Sequence, residues 1–170
     1  MGLDFRTDPD TLREVVDDPV ALDARIATLS ALDLEHDPDA RTEYATLLRV
    51  ARRLDDAVLE AELTLAAADL DGDLPRMVWA MLLVGHVRQW RGEWEQADTM
   101  FQRAEKLALY LKDDILVAAA AHHSGRSFYD QGKNVEAALR FRLALEINRR
   151  IGSPKLAASR AAFEAAMAKL

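Results

Sequence analysis

GHVRQWRGEWEQADTMFQRA, residues 85–104, returns forty positions later as GRSFYDQGKNVEAALRFRLA, residues 125–144. Gly85, Gly92, Ala97, Phe101 and Ala104 of the first copy match Gly125, Gly132, Ala137, Phe141 and Ala144 of the second. A skeleton repeated at a long fixed period marks an array of supersecondary units, none of which buries its apolar face alone. The small residues let two helices approach closely, and the Phe fills the space between successive pairs. Counting back the same distance gives a weaker copy at Ala45, Arg52, Ala57, Ala61 and Thr64. There Ala57 keeps register with Ala97 and Ala137, Ala61 replaces the Phe, and Arg52 replaces the turn glycine.

Outside the repeat, proline and glycine punctuate the chain. Pro9, Pro19, Pro38 and Pro154 each follow Asp or Ser, a residue that accepts hydrogen bonds from the free N–H groups of a helix start. Proline in the next position loses nothing there, because its missing N–H had no partner. Gly72, Gly92, Gly132 and Gly152 fall where helices stop. Apolar residues recur every three to four positions between these marks. The expected helices span residues 9–16, 19–34, 38–54, 57–70, 75–91, 94–111, 114–131, 135–151 and 154–169. The apolar run 77–84 is short enough to read as a buried strand, but Pro75 before it and the repeat register favour a helix buried on nearly every side. Short connections imply antiparallel neighbours. The expected architecture is all-α, an array of antiparallel helix pairs with about nine helices. It divides as cap helices in 1–37, a degenerate repeat in 38–74, repeats in 75–113 and 114–152, and a capping helix in 153–170.

Composition bounds the function. Of 170 residues half are hydrophobic, ample for one core, and the formal net charge is −7 with no block of like charge. Such a chain is not expected to bind nucleic acid or anionic membrane surfaces, which need an excess of Lys and Arg. Cysteine is absent, which excludes disulfides and thiolate metal sites. The first ten residues hold no apolar signal core, and no apolar run is long enough to span a bilayer. A cytoplasmic protein is expected, and heavy use of Ala, Asp, Arg and Leu points to a bacterial source. No phosphate-binding glycine loop and no Gly-x-Ser-x-Gly elbow occurs, so a non-catalytic role without cofactors is expected.

The spacing Gly-x6-Gly-x4-Ala-x3-Phe, carried by Gly85, Gly92, Ala97 and Phe101 and again by Gly125, Gly132, Ala137 and Phe141, resembles the tetratricopeptide repeat. The period of 40 exceeds that family's usual value of about 34, which implies extended helices. HEAT and armadillo arrays share the longer period, but the spacing decides for tetratricopeptide. The resemblance implies an α-solenoid, a right-handed superhelical array of antiparallel helix pairs, and a binding scaffold in which the first helix of each repeat lines a concave groove for a peptide or a partner's helix. By register, the groove takes Thr42, Thr46 and Arg49 from one repeat. The next supplies Trp79, Leu82, His86, Gln89 and Trp90, and the last Ala119, His122, His123, Arg126 and Tyr129. Arg49, His86, Gln89, Trp90, His122, Arg126 and Tyr129 are the candidate peptide-binding residues. Arginines and aromatics on an acidic body favour an acidic segment or a chain-terminal carboxylate.

Each of these residues also has a plainer reading. Trp79, Leu82 and Trp90 suit burial between helices, His122 and His123 suit a solvated shoulder, and Arg49 and Arg126 suit pairing with Glu43 or Asp130. No metal is expected: adjacent histidines point about a third of a turn apart, and no His-x3-His or Glu-x-x-His pair places two ligands together. The Ala-rich final helix leaves two roles open, packing back on residues 135–151 or burying a second face in a homodimer. A structural, self-associating repeat protein and a detached sensor or regulatory module are therefore the alternative functions.

Overall fold

The computed structural model describes residues 3–170. The helices begin where acidic side chains cap them. Asp18 and Asp37 accept from the backbone N–H groups of Ala21 and Ala40 at 2.9 Å, with Pro19 and Pro38 in the first helical position. Asp73 and Asp113 cap the two long repeats in the same way. These caps start α1 (Pro19–Ser30), α2 (Pro38–Val50), α4 (Leu74–Arg91) and α6 (Asp114–Asp130). Between and after them lie α3 (Leu54–Leu70), α5 (Trp94–Leu111), α7 (Asn134–Arg150) and α8 (Leu156–Met167). The last starts beyond Pro154 because Ser153 is taken up in a turn, its Oγ accepting from the Lys155 N–H at 3.1 Å.

The turns carry the period as clearly as the helices do. Arg52, Gly92 and Gly132 follow α2, α4 and α6 with φ of +63°, +78° and +73°. Gly72, Lys112 and Gly152 follow α3, α5 and α7 with φ of +66°, +55° and +65°. A left-handed residue follows each helix from α2 to α7, and Arg52 and Lys112 adopt it against the steric preference of L-residues.

Three antiparallel pairs, α2/α3, α4/α5 and α6/α7, stack side by side. The first helices form an inner row, with α4 touching both α2 and α6, and α3, α5 and α7 form the outer row. Close packing within the pairs rests on the repeated Gly–Phe contact. A Cβ at Gly85 would lie 2.6 Å from Phe101 Cε1, and one at Gly125 would lie 2.7 Å from Phe141 Cδ1. Both rings are fully buried, as are Ala97, Ala104, Ala137 and Ala144 of the repeated skeleton. A buried hydrogen bond from Asn148 Nδ2 to Ser159 Oγ, 2.9 Å, pins α8 onto α7, where Ala162 and Ala166 are buried.

The expected first helix, 9–16, is corrected. In its place stands a β-hairpin of β1 (Phe5–Thr7) and β2 (Glu14–Val16), with Phe5 opposite Val16 and Thr7 opposite Glu14. Eight helices, not nine, make up the array among the described residues. The cap signal at Asp8–Pro9 is real but lasts one turn. Asp8 accepts from the Thr11 N–H at 2.8 Å, and its carbonyl accepts from the Leu12 N–H at 2.8 Å. Leu12 then turns left-handed, φ +55°, and the Asp8 N–H donates to Arg13 O at 2.9 Å, which sends the chain back as a strand.

Two outcomes follow for stability. Gly85→Ala should lower the urea-unfolding free energy by about 1–3 kcal/mol, because Phe101 has no space into which to retreat. Lys112→Gly should raise it by about 1 kcal/mol by relieving the left-handed strain of an exposed residue. An unchanged midpoint for the first would remove the Gly–Phe contact as the reason for the repeated glycine.

Candidate functional site

The inner row meets the hairpin, and at the centre of the meeting lies one carboxylate. Arg126 on α6 donates to Glu14 in the two-pronged manner that the guanidinium plane allows, Nη1 to Oε1 at 2.8 Å and Nη2 to Oε2 at 2.9 Å. Arg49 on α2 donates to Oε2 at 2.9 Å from a side chain only 3% exposed. His86 on α4 brings Nε2 to 3.8 Å from the same oxygen. Three inner helices thus converge on one acidic side chain of β2.

A second set surrounds Trp90. The guanidinium carbons of Arg49, Arg52 and Arg13 lie 4.6, 4.5 and 5.2 Å from the indole centroid. Arg13 also reaches Asp130 at 2.8 Å, and Gln89 Nε2 donates to the same Asp130 oxygen at 2.9 Å. Further along, the Tyr129 hydroxyl donates to the Asp10 carbonyl at 3.1 Å, and Lys169 lies 3.9 Å over the tyrosine ring while reaching the same carbonyl at 3.4 Å. Leu12 is buried beside Tyr129, Ala138, Ala162 and Ala166.

The candidate residues therefore separate. Arg49, His86, Gln89, Trp90, Arg126 and Tyr129 gather around the hairpin segment 10–14 or its direct partners. His122 does not join them; its ring lies 5.4 Å from Phe141, with Nδ1 buried and without a hydrogen-bond partner. His123 stacks 6.3 Å from Phe101 and stands 4.9 Å from His86, and both His122 and His123 are partly buried. Leu82 is core, whereas Trp79 is 46% exposed on α4, away from the hairpin. The alternative partners are corrected too: Glu43 pairs with Arg25 and Asp130 with Arg13, leaving Arg49 and Arg126 to Glu14. Among the described residues no cluster of His, Asp and Glu has the arrangement to hold a metal ion.

Sequence reasoning missed Arg13, Glu14 and Arg52. A signal was present: Asp8-Pro9-Asp10 is a turn sequence and Val15-Val16 a β-branched pair. The helix-cap reading of Asp8–Pro9 competed with it and holds for only one turn.

Charge follows from this burial. Burial alone would raise the Glu14 carboxyl, but the guanidiniums of Arg126 and Arg49 outweigh it and hold Glu14 well below the usual carboxylate range. His86 is lowered well below its ordinary value by burial and by repulsion from Arg49 and Arg126, so it is neutral at neutral pH. Burial, then Arg126, brings His122 down to about 4 and His123 to about 3.

Residues 76–150 match the family model described as tetratricopeptide repeat. Among solved structures, the apo form of RapI superposes with a TM-score of 0.69 at 14% identity, covering 89% of this chain and 45% of RapI. The likeness establishes a shared helical-repeat fold, and the chain spans less than half of RapI's length. No curated protein matches the sequence. No helix among the described residues is long and apolar enough to cross a membrane.

The histidines of the inner helices should give stability an acid limb. Facing them are Glu14 from β2, Arg49 from α2, Arg126 from α6 and Lys155 ahead of α8. Their folded values lie below the unfolded value of 6.5, so the unfolded chain takes up protons first as pH falls. Their stabilisation is complete above pH 6.5 and is lost on acidification toward pH 4, on the order of 1 kcal/mol per pH unit for each histidine. Urea unfolding at a series of pH values should show this limb, and His122→Gln/His123→Gln should flatten it. A double variant with the wild-type slope would remove these two histidines as its cause.

Proposed function

We propose that this array of tetratricopeptide repeats is a non-catalytic protein-interaction scaffold whose inner face takes a carboxylate-bearing segment of a partner protein. One observation carries the reading: the inner face already grips a carboxylate, with Arg126 and Arg49 both donating to Glu14. Bidentate guanidinium contacts are strong and geometrically selective for planar anions. Charge supports the same partner. Arg13, Arg49, Arg52 and Arg126 face only Glu14 and Asp130 at this place, in a chain of net charge −7. Local positive charge on an acidic body steers acidic segments to the inner face, whereas the net charge opposes nucleic acid. The proposal places the protein in the cytoplasm of a bacterium. Ser159, Ala162 and Ala166 of α8 are buried within the chain, whereas Ala157, Ala161, Met167 and Leu170 remain exposed, which leaves self-association through α8 as the second reading.

Fluorescence anisotropy with labelled acidic peptides and their Glu→Gln counterparts tests the reading. The acidic peptides should bind and the amide versions should not. Arg49→Met/Arg126→Met should weaken binding at least about thirtyfold, the loss typical of an unpaired interfacial charge contact. An acidic peptide that binds the double variant more tightly than wild type would assign the two arginines to holding Glu14 alone and overturn the proposal.

A further inference from the structure

The segment Leu12–Arg13–Glu14 occupies the face proposed above as a partner site, and it does so as a ligand would. Glu14 fills the arginine site. Arg13 lies over Trp90 and bonds Asp130. Leu12, 6% exposed, enters a pocket of Tyr129, Ala138, Ala162 and Ala166. Just before it, the Asp10 carbonyl is taken by Tyr129 and Lys169, a contact that any residue's backbone could make.

Outside this segment the hairpin is held at its ends, where Leu3 and Val16 pack against the core around α1 and α2, and little by its own pairing. Its ladder has three residue pairs, and Phe5, Arg6 and Thr7 of the outer strand are all exposed. A two-stranded hairpin of this size has marginal stability by itself. Leu12 adopts a left-handed conformation that the chain reversal imposes and an incoming extended segment would not need. With the hairpin lifted away, Arg49, Arg52 and Arg126 face Asp130 alone, which favours an acidic competitor.

We infer that the inner face reads an extended partner segment with an apolar residue two positions before a carboxylate, and that such a segment displaces the hairpin, which is the chain's own copy of that pattern. The inference rests on the carboxylate reading of the same face. It adds the spacing of the recognised residues and an intramolecular competitor that lowers apparent affinity by the fraction of chains whose face is open.

The test uses the full chain and a fluorescein-labelled peptide of the chain's own residues 7–17, TDPDTLREVVD, with versions carrying Asp for the Leu or Gln for the Glu. The parent peptide should bind, and each altered peptide should bind about tenfold or more weakly. Hydrogen exchange read by mass spectrometry should show residues 3–17 losing protection on peptide addition while α4 and α6 retain theirs. Leu12→Asp in the chain, with helicity checked by circular dichroism, should bind the parent peptide about tenfold more tightly because the competitor is weakened. Arg13→Ala is a milder second variant and should shift affinity in the same direction. Equal affinity for wild type and both variants, or unchanged exchange in residues 3–17, would overturn the competitor. A Leu→Asp peptide that binds like the parent would overturn the spacing and leave the carboxylate reading standing. A Glu→Gln peptide that binds like the parent would overturn both.

Discussion

The array depends on one close approach made twice. Gly85 lies under the ring of Phe101 and Gly125 under that of Phe141, with no space for even a methyl group. That contact sets how near the two helices of a pair can come, and so how the inner helices sit beside one another. Arg49, His86 and Arg126 come from three different inner helices, yet all reach the same Glu14 carboxylate. A wider pair spacing would separate them, because charge contacts of this kind hold only over short distances.

Around that skeleton, three of the positions that differ between the two strong repeats share a location. His86, Gln89 and Trp90 correspond at the 40-residue period to Arg126, Tyr129 and Asp130. His86 and Arg126 approach Glu14, Trp90 and Asp130 approach Arg13, Tyr129 holds Asp10, and Gln89 bonds Asp130. Packing demands the same small residues in each repeat. The inner face makes no such demand, and there the chemistry diverges into a cation, an anion, a phenol and an indole.

Electrostatics on this face is a matter of burial as much as of charge. Arg49 and Arg126 are buried guanidiniums, which are costly without an anion. Glu14 supplies that anion, and burial, reinforced by the two arginines, keeps the nearby histidines neutral. The inner face therefore needs a carboxylate at its centre, whether from this chain or from another.

How far the sequence could be read differs between skeleton and occupant. The repeat register, the caps at Asp18 and Asp37 and the left-handed glycines are local or periodic, so they stand in the sequence for inspection. Placing Arg49, His86 and Arg126 on one face likewise needed only helix period and register. Glu14 was not legible in this way, because its partners lie 35 and 112 residues away and the cap at Asp8 mimics a helix start. By itself, the sequence determined a helical-repeat protein and the composition of its inner face, since both follow from spacing along the chain. Only the tertiary structure decided that residues 5–16 form a hairpin and that its acid enters the groove. That choice is set by long-range pairing of a carboxylate with two distant guanidiniums, which no local propensity encodes.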